Sequence, residues 1–281
     1  MYNLRELGDY FKQRLQDRLL HLAGRKPAKK RNPISLSSAG RCQRASAYAI
    51  LGADQLVWGW RQKVSLEDGN YTHTQVRKYL KSALKGTHFS LDDQEMPVYL
   101  NVSGWKIAGH VDGIITRLCD CVEHKELPRK VVLEVKSTGQ YGYYKSLKKG
   151  GISIEYRSQA TAYMMGAGVT DTLFMFKNKN NGEIAFVHYK LDDTLAKSID
   201  DRYRNVKLFK EGFRQIDDMT REYGPNKKGQ LPFQCNYCPF VLKCWKEFKP
   251  GRSEPGKAVY QLDAFDKEYP EIVSYPDQGD S

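Results

Sequence analysis

The stretch that decides the fold runs from residue 105 to residue 136 and reads WKIAGHVDGIITRLCDCVEHKELPRKVVLEVK. In its first part, successive residues alternate between two faces, as they do in a half-buried strand. This predicted strand contains Asp112. Its last part, VVLEVK, is rich in β-branched residues and predicts a strand in the core of a sheet, with Glu134 and Lys136 on one face. Two carboxylates and a lysine are therefore predicted to converge where two neighbouring strands end.

A buried carboxylate costs several kcal/mol unless it is paired or bound to a metal. Asp112 and Glu134 offer the oxygen ligands that Mg²⁺ and Mn²⁺ prefer, and such ions keep positions for water and for a substrate phosphate. Lys136 is placed to orient or deprotonate an attacking water, so the reaction indicated is phosphodiester hydrolysis. The alternative is structural: a solvent-facing ion pair between Glu134 and Lys136, with Asp112 as a turn residue.

Length and charge limit the class of protein. The 281 residues suffice for one large domain with appendages or for two small ones, and the net charge of +12 indicates a polyanionic partner, most simply nucleic acid. No apolar run approaches the roughly 18 residues that cross a bilayer, and the N-terminus lacks a signal-peptide core, so a cytoplasmic protein without membrane contact is expected. Six cysteines in that reducing compartment are then metal ligands or bystanders rather than disulfides.

Both ends of the chain differ from its middle. Residues 2–23 predict an amphipathic helix, and the basic, proline-bearing segment up to residue 34 predicts an exposed linker that is either a solvated charge run or a contact to phosphates. Residues 251–281 are acidic and predict a loosely attached tail. The domain expected between them covers residues 35–250.

Three cysteines near the C-terminus have strong metal-ligand spacing. Cys235, Cys238 and Cys244 follow the pattern C-x2-C-x5-C in a short loop, and a tetrahedral centre needs a fourth thiolate. Cys42, predicted to lie inside a helix that begins near residue 35, is the candidate left over. Zinc and an iron-sulfur cluster fit this ligand count equally well.

Other polar residues give weaker signals. Cys119, Cys121 and His124 lie in a predicted loop and are interpreted as bystanders, because their C-x-C spacing lacks a convincing fourth ligand. His73 is predicted in the first turns of a helix that follows Gly69, and a lone histidine is more often structural than a ligand.

Two short segments after Lys136 are candidates for substrate contact. A loop carries aromatic residues beside lysines, which suits stacking on unpaired bases but also ordinary packing, and a predicted helix over residues 154–168 places a polar pair on one face. These candidates are Tyr141, Tyr143, Tyr144 and Lys145 in the loop, and Gln159 and Tyr163 on the helix.

Two further elements are expected downstream. A hairpin is predicted over residues 173–189 around an Asn-rich turn, and a long packing helix over residues 193–223 is predicted to end at Gly224-Pro225.

Taken together in this order, the motifs resemble the RecB-type branch of the PD-(D/E)XK nucleases, and most closely the iron-sulfur exonucleases of the CRISPR-associated type and their phage relatives. The match covers roughly residues 35–248. The matching elements are Gly69-x-x-x-His73, Gly109-His110-Val111-Asp112-Gly113, Glu134-Val135-Lys136, Gln159-x-x-x-Tyr163, and Cys42 with Cys235, Cys238 and Cys244.

This resemblance implies roles that spacing alone leaves open. It implies that Mn²⁺ or Mg²⁺ is held by His73, Asp112, Glu134 and the Val135 carbonyl, that Lys136 serves the water, and that a 4Fe-4S cluster, rather than zinc, is bound by the four cysteines. The fold it implies is α/β, a restriction-endonuclease-like mixed central sheet flanked by helices, with a helical cysteine-bearing accessory part built from both termini.

The function expected on these grounds is a metal-dependent DNA exonuclease that prefers single strands or free ends. The alternative is a DNA-end binding or processing subunit of a recombination, replication or CRISPR adaptation complex, with weak nuclease activity of its own. In a virus the location expected is the host cytoplasm. Oligomeric state and cleavage polarity stay open.

Overall fold

The computed structural model describes residues 13–15, 33–53, 55, 60–92, 96–246, 248–251 and 259–262. The chain divides into two compact units. One, called here the sheet unit, comprises Ile34–Ala47 and Gly69–Met219. The other, called the Cys235 unit, comprises the remainder of the chain, including residues 220–246.

The strands of the sheet unit are β1 (Phe89–Leu91), β2 (Met96–Val102), β3 (Trp105–Val111), β4 (Gly113–Arg117), β5 (Lys130–Thr138), β6 (Asp171–Asn178) and β7 (Ile184–Lys190). Five of them form a sheet in the order β1-β4-β5-β6-β7, and β2 pairs with β3 in a separate hairpin. Only β5 and β6 are parallel, so the main sheet is mixed.

The α-helices in the described part of the chain are α1 (Gln43–Ile50), α2 (Trp60–Ala83), α3 (Gln140–Leu147), α4 (Ile154–Ala167), α5 (Asp193–Lys210), α6 (Phe233–Asn236) and α7 (Val241–Cys244). Short 3-10 turns occur at Leu36–Ser38 and Ile216–Asp218. A last strand pair, β8 (Phe248–Gly251) with β9 (Val259–Leu262), is antiparallel. The predicted class, a mixed α/β sheet flanked by helices, is confirmed.

Helices cover both faces of the main sheet. On one face, Val76 of α2 packs with Leu133 and Val135 of β5 and with Met175 of β6. The other face is covered by α3 and α4, in an apolar cluster of Tyr143, Ile152, Ala160, Phe174 and Phe176. Burying side chains of this size stabilises the fold by roughly 1.5–3 kcal/mol each.

Alternation along β5 decides which side chains reach each face. Leu133 and Val135 point toward α2, and the register pairs Glu134 with Phe174 and Lys136 with Phe176 on the opposite face. Glu134 and Lys136 therefore share the face covered by α4, as the sequence pattern predicted.

Asp112 does not lie inside one continuous strand, which corrects the sequence-based prediction. The chain pairs with β2 up to Val111 and with β1 and β5 from Gly113 onward, so Asp112 lies at the break between two sheets. An added Cβ at Gly113 would lie 2.7 Å from the Leu91 side chain and 3.1 Å from the Asp92 carbonyl oxygen. This crowding explains why a glycine occupies the first position after the break.

The helix after β7 is shorter than predicted. It ends at Lys210 rather than near Gly224, because Gly212 adopts φ of 85° and the chain turns there. The apolar residues that continue the helical spacing beyond this point therefore lie outside α5. Ile216 belongs to the 3-10 turn, and Phe213 is exposed.

Three other local predictions are also corrected. The helix α2 begins at Trp60, so Gly69 and His73 lie within it and not at its start. Residues 141–145 belong to helix α3 and not to a loop. Cys42 directly precedes α1, where its carbonyl accepts the first helical hydrogen bond from Ser46, rather than lying inside the helix.

The hairpin of β6 and β7 and the helix α4 match their predicted positions, with Gly168 as the left-handed cap of α4. The predicted N-terminal helix and the acidic tail fall largely outside the described residues, although residues 13–15 are helical. Within the described part of the chain, none of the helices is long and apolar enough to cross a membrane.

Candidate active site

Asp112 is held at the break between the sheets by two hydrogen bonds. Its Oδ2 accepts from the Val135 amide N–H of β5 at 2.8 Å, and its Oδ1 lies 2.8 Å from Nδ1 of His73 on α2. The residue is 8% exposed. These contacts bring residues from a helix, a strand and a strand junction to one point.

Glu134 projects from the middle of β5 and is 2% exposed. Its Oε1 accepts a hydrogen bond from Lys136 Nζ at 2.6 Å, but its buried Oε2 has no hydrogen-bond partner among the described residues. Burial raises the pKa of Glu134 to about 7, and the charge of Asp112 adds to the rise while Lys136 opposes it. A buried carboxylate oxygen without a partner is energetically costly, and a cation is the group that would satisfy it.

Lys136 is the donor at the centre of the site. Besides Glu134, its Nζ donates to Gln159 Oε1 at 2.9 Å and lies 4.7 Å from the centre of the Tyr156 ring. Burial lowers the pKa of Lys136, but the attraction and hydrogen bond of Glu134 outweigh burial and leave that pKa above its ordinary value. The amine therefore stays protonated at neutral pH, which favours orienting a water over deprotonating it.

Gln159 and Tyr163 extend the site onto α4. Gln159 Nε2 donates to the Tyr163 hydroxyl oxygen at 3.1 Å, and burial together with the charge of Glu134 raises the pKa of Tyr163. A Cβ at Gly109 would lie 2.8 Å from the Tyr163 ring and 2.7 Å from the Leu36 side chain. The glycine of β3 thus permits the close approach of the ring that supports Gln159.

The predicted ligand set fits a hard divalent cation in its chemistry. Asp112 is in contact with His73, and Glu134 interacts with the charges of both, although the ligand atoms of the three residues do not all lie within 4.8 Å of one another. Val135 enters the site through its amide N–H, which donates to Asp112. The ligand role of its carbonyl stays a prediction.

The remaining substrate candidates do not gather at one point. Tyr143 is 4% exposed and packs in the core, which leaves no free ring face for a base. Tyr141, Tyr144 and Lys145 are exposed on α3, where the Tyr144 hydroxyl donates to Glu183 at 3.0 Å. Of the four residues proposed in this segment, the three exposed ones are therefore accessible to a ligand.

Sequence reasoning missed Tyr156 and Arg77. Tyr156 lies three positions before Gln159 on α4, and that helical spacing is the signal that could have placed its ring beside Lys136. Arg77 follows His73 by four positions on α2, and its guanidinium lies 3.5 Å from the Asp112 carbonyl oxygen. The helical spacing of four residues from His73 is the signal that could have identified Arg77.

Two of the three C-terminal cysteines share a small core within the Cys235 unit. Cys235 is buried with Leu231 and Val241, Cys238 packs against this core, and Cys244 ends α7 and is half-buried. Consecutive tight turns link them, since Cys238 N donates to the Cys235 carbonyl and Val241 N donates to the Cys238 carbonyl. Cys42 belongs to the sheet unit, so the Cys235 unit contributes three of the four predicted thiolates.

No family model matches the sequence. No curated protein matches it either. Among solved structures, the crystal structure of SSO0001 aligns with a TM-score of 0.45 at 18% identity, over 83% of this chain and 96% of that chain. An alkaline exonuclease, LHK-Exo from Laribacter hongkongensis, aligns with a TM-score of 0.44 at 14% identity, over 67% of this chain and 92% of that chain. The complex of LHK-Exo with dAMP aligns with a TM-score of 0.43 at 13% identity, again over 67% and 92%. Similarities of this size do not define what the chain does.

Proposed function

We propose that the chain is a Mg²⁺- or Mn²⁺-dependent deoxyribonuclease that hydrolyses phosphodiester bonds in single-stranded DNA or at DNA ends. The observation that carries the proposal is the buried, partnerless Oε2 of Glu134 beside Asp112 and Lys136. Two carboxylates that interact electrostatically with one cationic donor suit the charge that develops on a phosphate under attack.

Each side chain has a distinct task in this reaction. Asp112 and Glu134 hold the cation, with His73 as a further ligand or as the residue that positions Asp112. The bound cation supplies Lewis-acid stabilisation of the charge on the scissile phosphate. Lys136, fixed by Glu134 and Gln159, orients the water for in-line attack and donates toward the phosphate.

The test is digestion of end-labelled single- and double-stranded DNA by the purified chain with Mg²⁺, with Mn²⁺ and with a chelator. Asp112→Ala and Glu134→Ala should reduce cleavage to background, because each removes a charged ligand. Asp171→Asn is a matched control: Asp171 is a buried carboxylate paired with His188 at 2.7 Å, as Asp112 is with His73, but it lies at the start of β6. Wild-type cleavage by Asp112→Ala would refute the assignment.

The second candidate, a DNA-end binding subunit with weak activity, rests on the net charge of +12. The same assay separates the two. A chain that binds DNA ends tightly but cuts neither substrate with either metal supports the binding role, whose protein partners would belong to recombination, replication or CRISPR adaptation.

We also propose that Cys42, Cys235, Cys238 and Cys244 bind a 4Fe-4S cluster, with zinc as the alternative. Cys235 and Cys238 share one small core, and Cys244 ends the short helix α7 that follows them, which supports a common centre. Anaerobically purified protein should show broad visible absorption that dithionite bleaches. A colourless protein with zinc bound to these cysteines would favour the alternative.

A further inference from the structure

The loop between β4 and β5 gathers two thiols and an imidazole. Cys119, Cys121 and His124 each offer a ligand atom, and these atoms lie within 4.8 Å of one another. Nδ1 of His124 lies 3.1 Å from the Cys121 sulfur and 3.4 Å from the Cys119 sulfur, and the two sulfurs are in direct contact. All three residues are only half-buried, so an ion can reach them.

The loop that carries them is held in place by arginines. Arg117 donates to the Cys119 carbonyl and to Asp120, and Arg129 donates to the same Asp120 oxygen at 2.9 Å. A backbone hydrogen bond of 3.1 Å from His124 N to the Cys121 carbonyl closes the turn.

A further imidazole beside the loop comes from a distant part of the sequence. His88 is exposed and immediately precedes β1, and its ring centre lies 5.6 Å from that of His124. Its carbonyl accepts a 2.8 Å hydrogen bond from Leu118 N, which places His88 beside the loop. The Phe89 and His124 rings form an edge-to-face pair with their centres 5.2 Å apart. The C-x-C spacing alone predicts bystanders because it offers no fourth ligand, and the sheet pairing of β1 with β4 brings the His88 ring beside the loop, although its nitrogens are not within the 4.8 Å that joins the other three ligand atoms.

We propose that Cys119, Cys121, His124 and His88 form a structural zinc site that joins the β4–β5 loop to the start of edge strand β1. Two thiolates and two imidazoles are a donor set typical of tetrahedral structural zinc, and the two thiolates balance the ionic charge. The site is separate from the candidate active site, because Cys119 follows β4 and Asp112 precedes it, roughly 20 Å along an extended strand.

The competing state is a disulfide between Cys119 and Cys121. Two observations favour the metal. One nitrogen of His124, Nδ1, faces both sulfurs, and the His88 ring lies beside the His124 ring. A disulfide uses neither imidazole. The histidines therefore separate the two states experimentally.

The test compares wild type with His124→Ala and His88→Ala, purified under reducing conditions and stripped with a chelator. These variants alter no cysteine, so the thiols of the other predicted centre are intact in all samples. Titration with Zn²⁺ should show one more bound equivalent per chain in wild type than in His124→Ala. His88→Ala should weaken that equivalent at least tenfold, and His110→Ala, which removes an exposed histidine from β3, should change nothing.

Two further measurements complete the test. Co²⁺ in the same titration should give the absorption of a tetrahedral thiolate site in wild type and not in His124→Ala. Added zinc should raise the melting temperature of wild type but not of His124→Ala, while circular dichroism confirms that both are folded. Equal metal binding by wild type and His124→Ala would overturn the proposal. A second result would also overturn it. In protein purified without reductant, the tryptic peptide of residues 118–125 would be lighter by two hydrogens and would not react with thiol reagents, and reduction would not restore zinc binding.

Discussion

Glu134 is a carboxyl whose burial sets a measurable pH dependence. Burial raises its pKa from 4.5 to about 7, so the folded chain binds this proton more tightly than the unfolded chain does. Its contribution to stability is therefore fully present below pH 4.5 and is lost as the pH rises through about 7. In chelator, Glu134→Gln should show a smaller fall in unfolding free energy over that window than wild type, measured by urea unfolding at a series of pH values.

Asp171 serves as the control for this prediction, because its pKa shift has the opposite sign. Burial raises the pKa of Asp171, but hydrogen bonds from Thr170 and His188 outweigh it, so the pKa of this carboxyl is lowered. Asp171 therefore contributes stability above its unfolded pKa of 3.8, and this contribution is lost as the pH falls through the folded value. Equal pH profiles for wild type and Glu134→Gln would contradict the burial argument.

His73 illustrates a second effect of a single residue. Its imidazole lies 2.8 Å from Asp112 and is in position to orient that carboxylate or to bind metal directly. We expect His73→Ala to reduce cleavage roughly 10–100-fold at limiting Mn²⁺, as losses of such positioning groups do, and less at saturating Mn²⁺. The matched variant His188→Ala removes the histidine of the Asp171 pair and should cleave like wild type. If the cleavage defect of His73→Ala is the same at limiting and at saturating Mn²⁺, the ligand role of His73 is excluded.

The close packing of strand β3 against helix α4 requires a glycine at position 109. A Cβ added to Gly109 of β3 would lie less than 3 Å from the side chains of Leu36 and Tyr163, whereas one added to Gly69 of α2 would meet open space. Gly109→Ala should destabilise the fold by roughly 1–3 kcal/mol through overpacking, and Gly69→Ala should stabilise it by roughly 0.5–1 kcal/mol. Chemical denaturation of both variants tests the pair, and a neutral Gly109→Ala would mean that α4 can shift away.

Most elements of the sheet unit could be predicted from sequence because their burial is periodic. The strand VVLEVK and the helix α4 have clear patterns and defined ends, and the shared face of Glu134 and Lys136 followed from alternation alone. The end of α5 could not be predicted, because apolar residues keep a helical spacing beyond the turn at Gly212. The break at Asp112 was missed because β3 and β4 read as one alternating run, and only pairing with different partners separates them.

The candidate site was predictable in its residue types but not in its connections. Asp112, Glu134 and Lys136 stand out as polar residues in otherwise apolar stretches of sequence. The hydrogen bonds from Val135 N to Asp112 and from Lys136 to Gln159 depend on how the junction and α4 lie against β5, which sequence spacing does not encode. His88 beside His124 is likewise a product of strand pairing.

At the scale of the whole molecule, the net charge of +12 predicts how DNA binding responds to salt. Each phosphate contacted by a lysine or arginine releases counterions, giving a slope of roughly −0.7 per contact in a plot of log K against log salt for single strands. With the non-cleaving variant Asp112→Asn in chelator, affinity for single-stranded DNA should fall steeply between low and physiological salt. An affinity independent of salt would argue against nucleic acid as the partner.

The parallel pairing of β5 with β6 has a consequence for biosynthesis. Glu134 leaves the ribosome well before α3, α4 and β6, which together cover its strand. A growing chain that stops before residue 171 already contains both carboxylates of the candidate site, but it has no neighbouring strand on that side of β5 to order them. The proposed nuclease activity should therefore be absent until the crossover is complete and should appear abruptly with chain length.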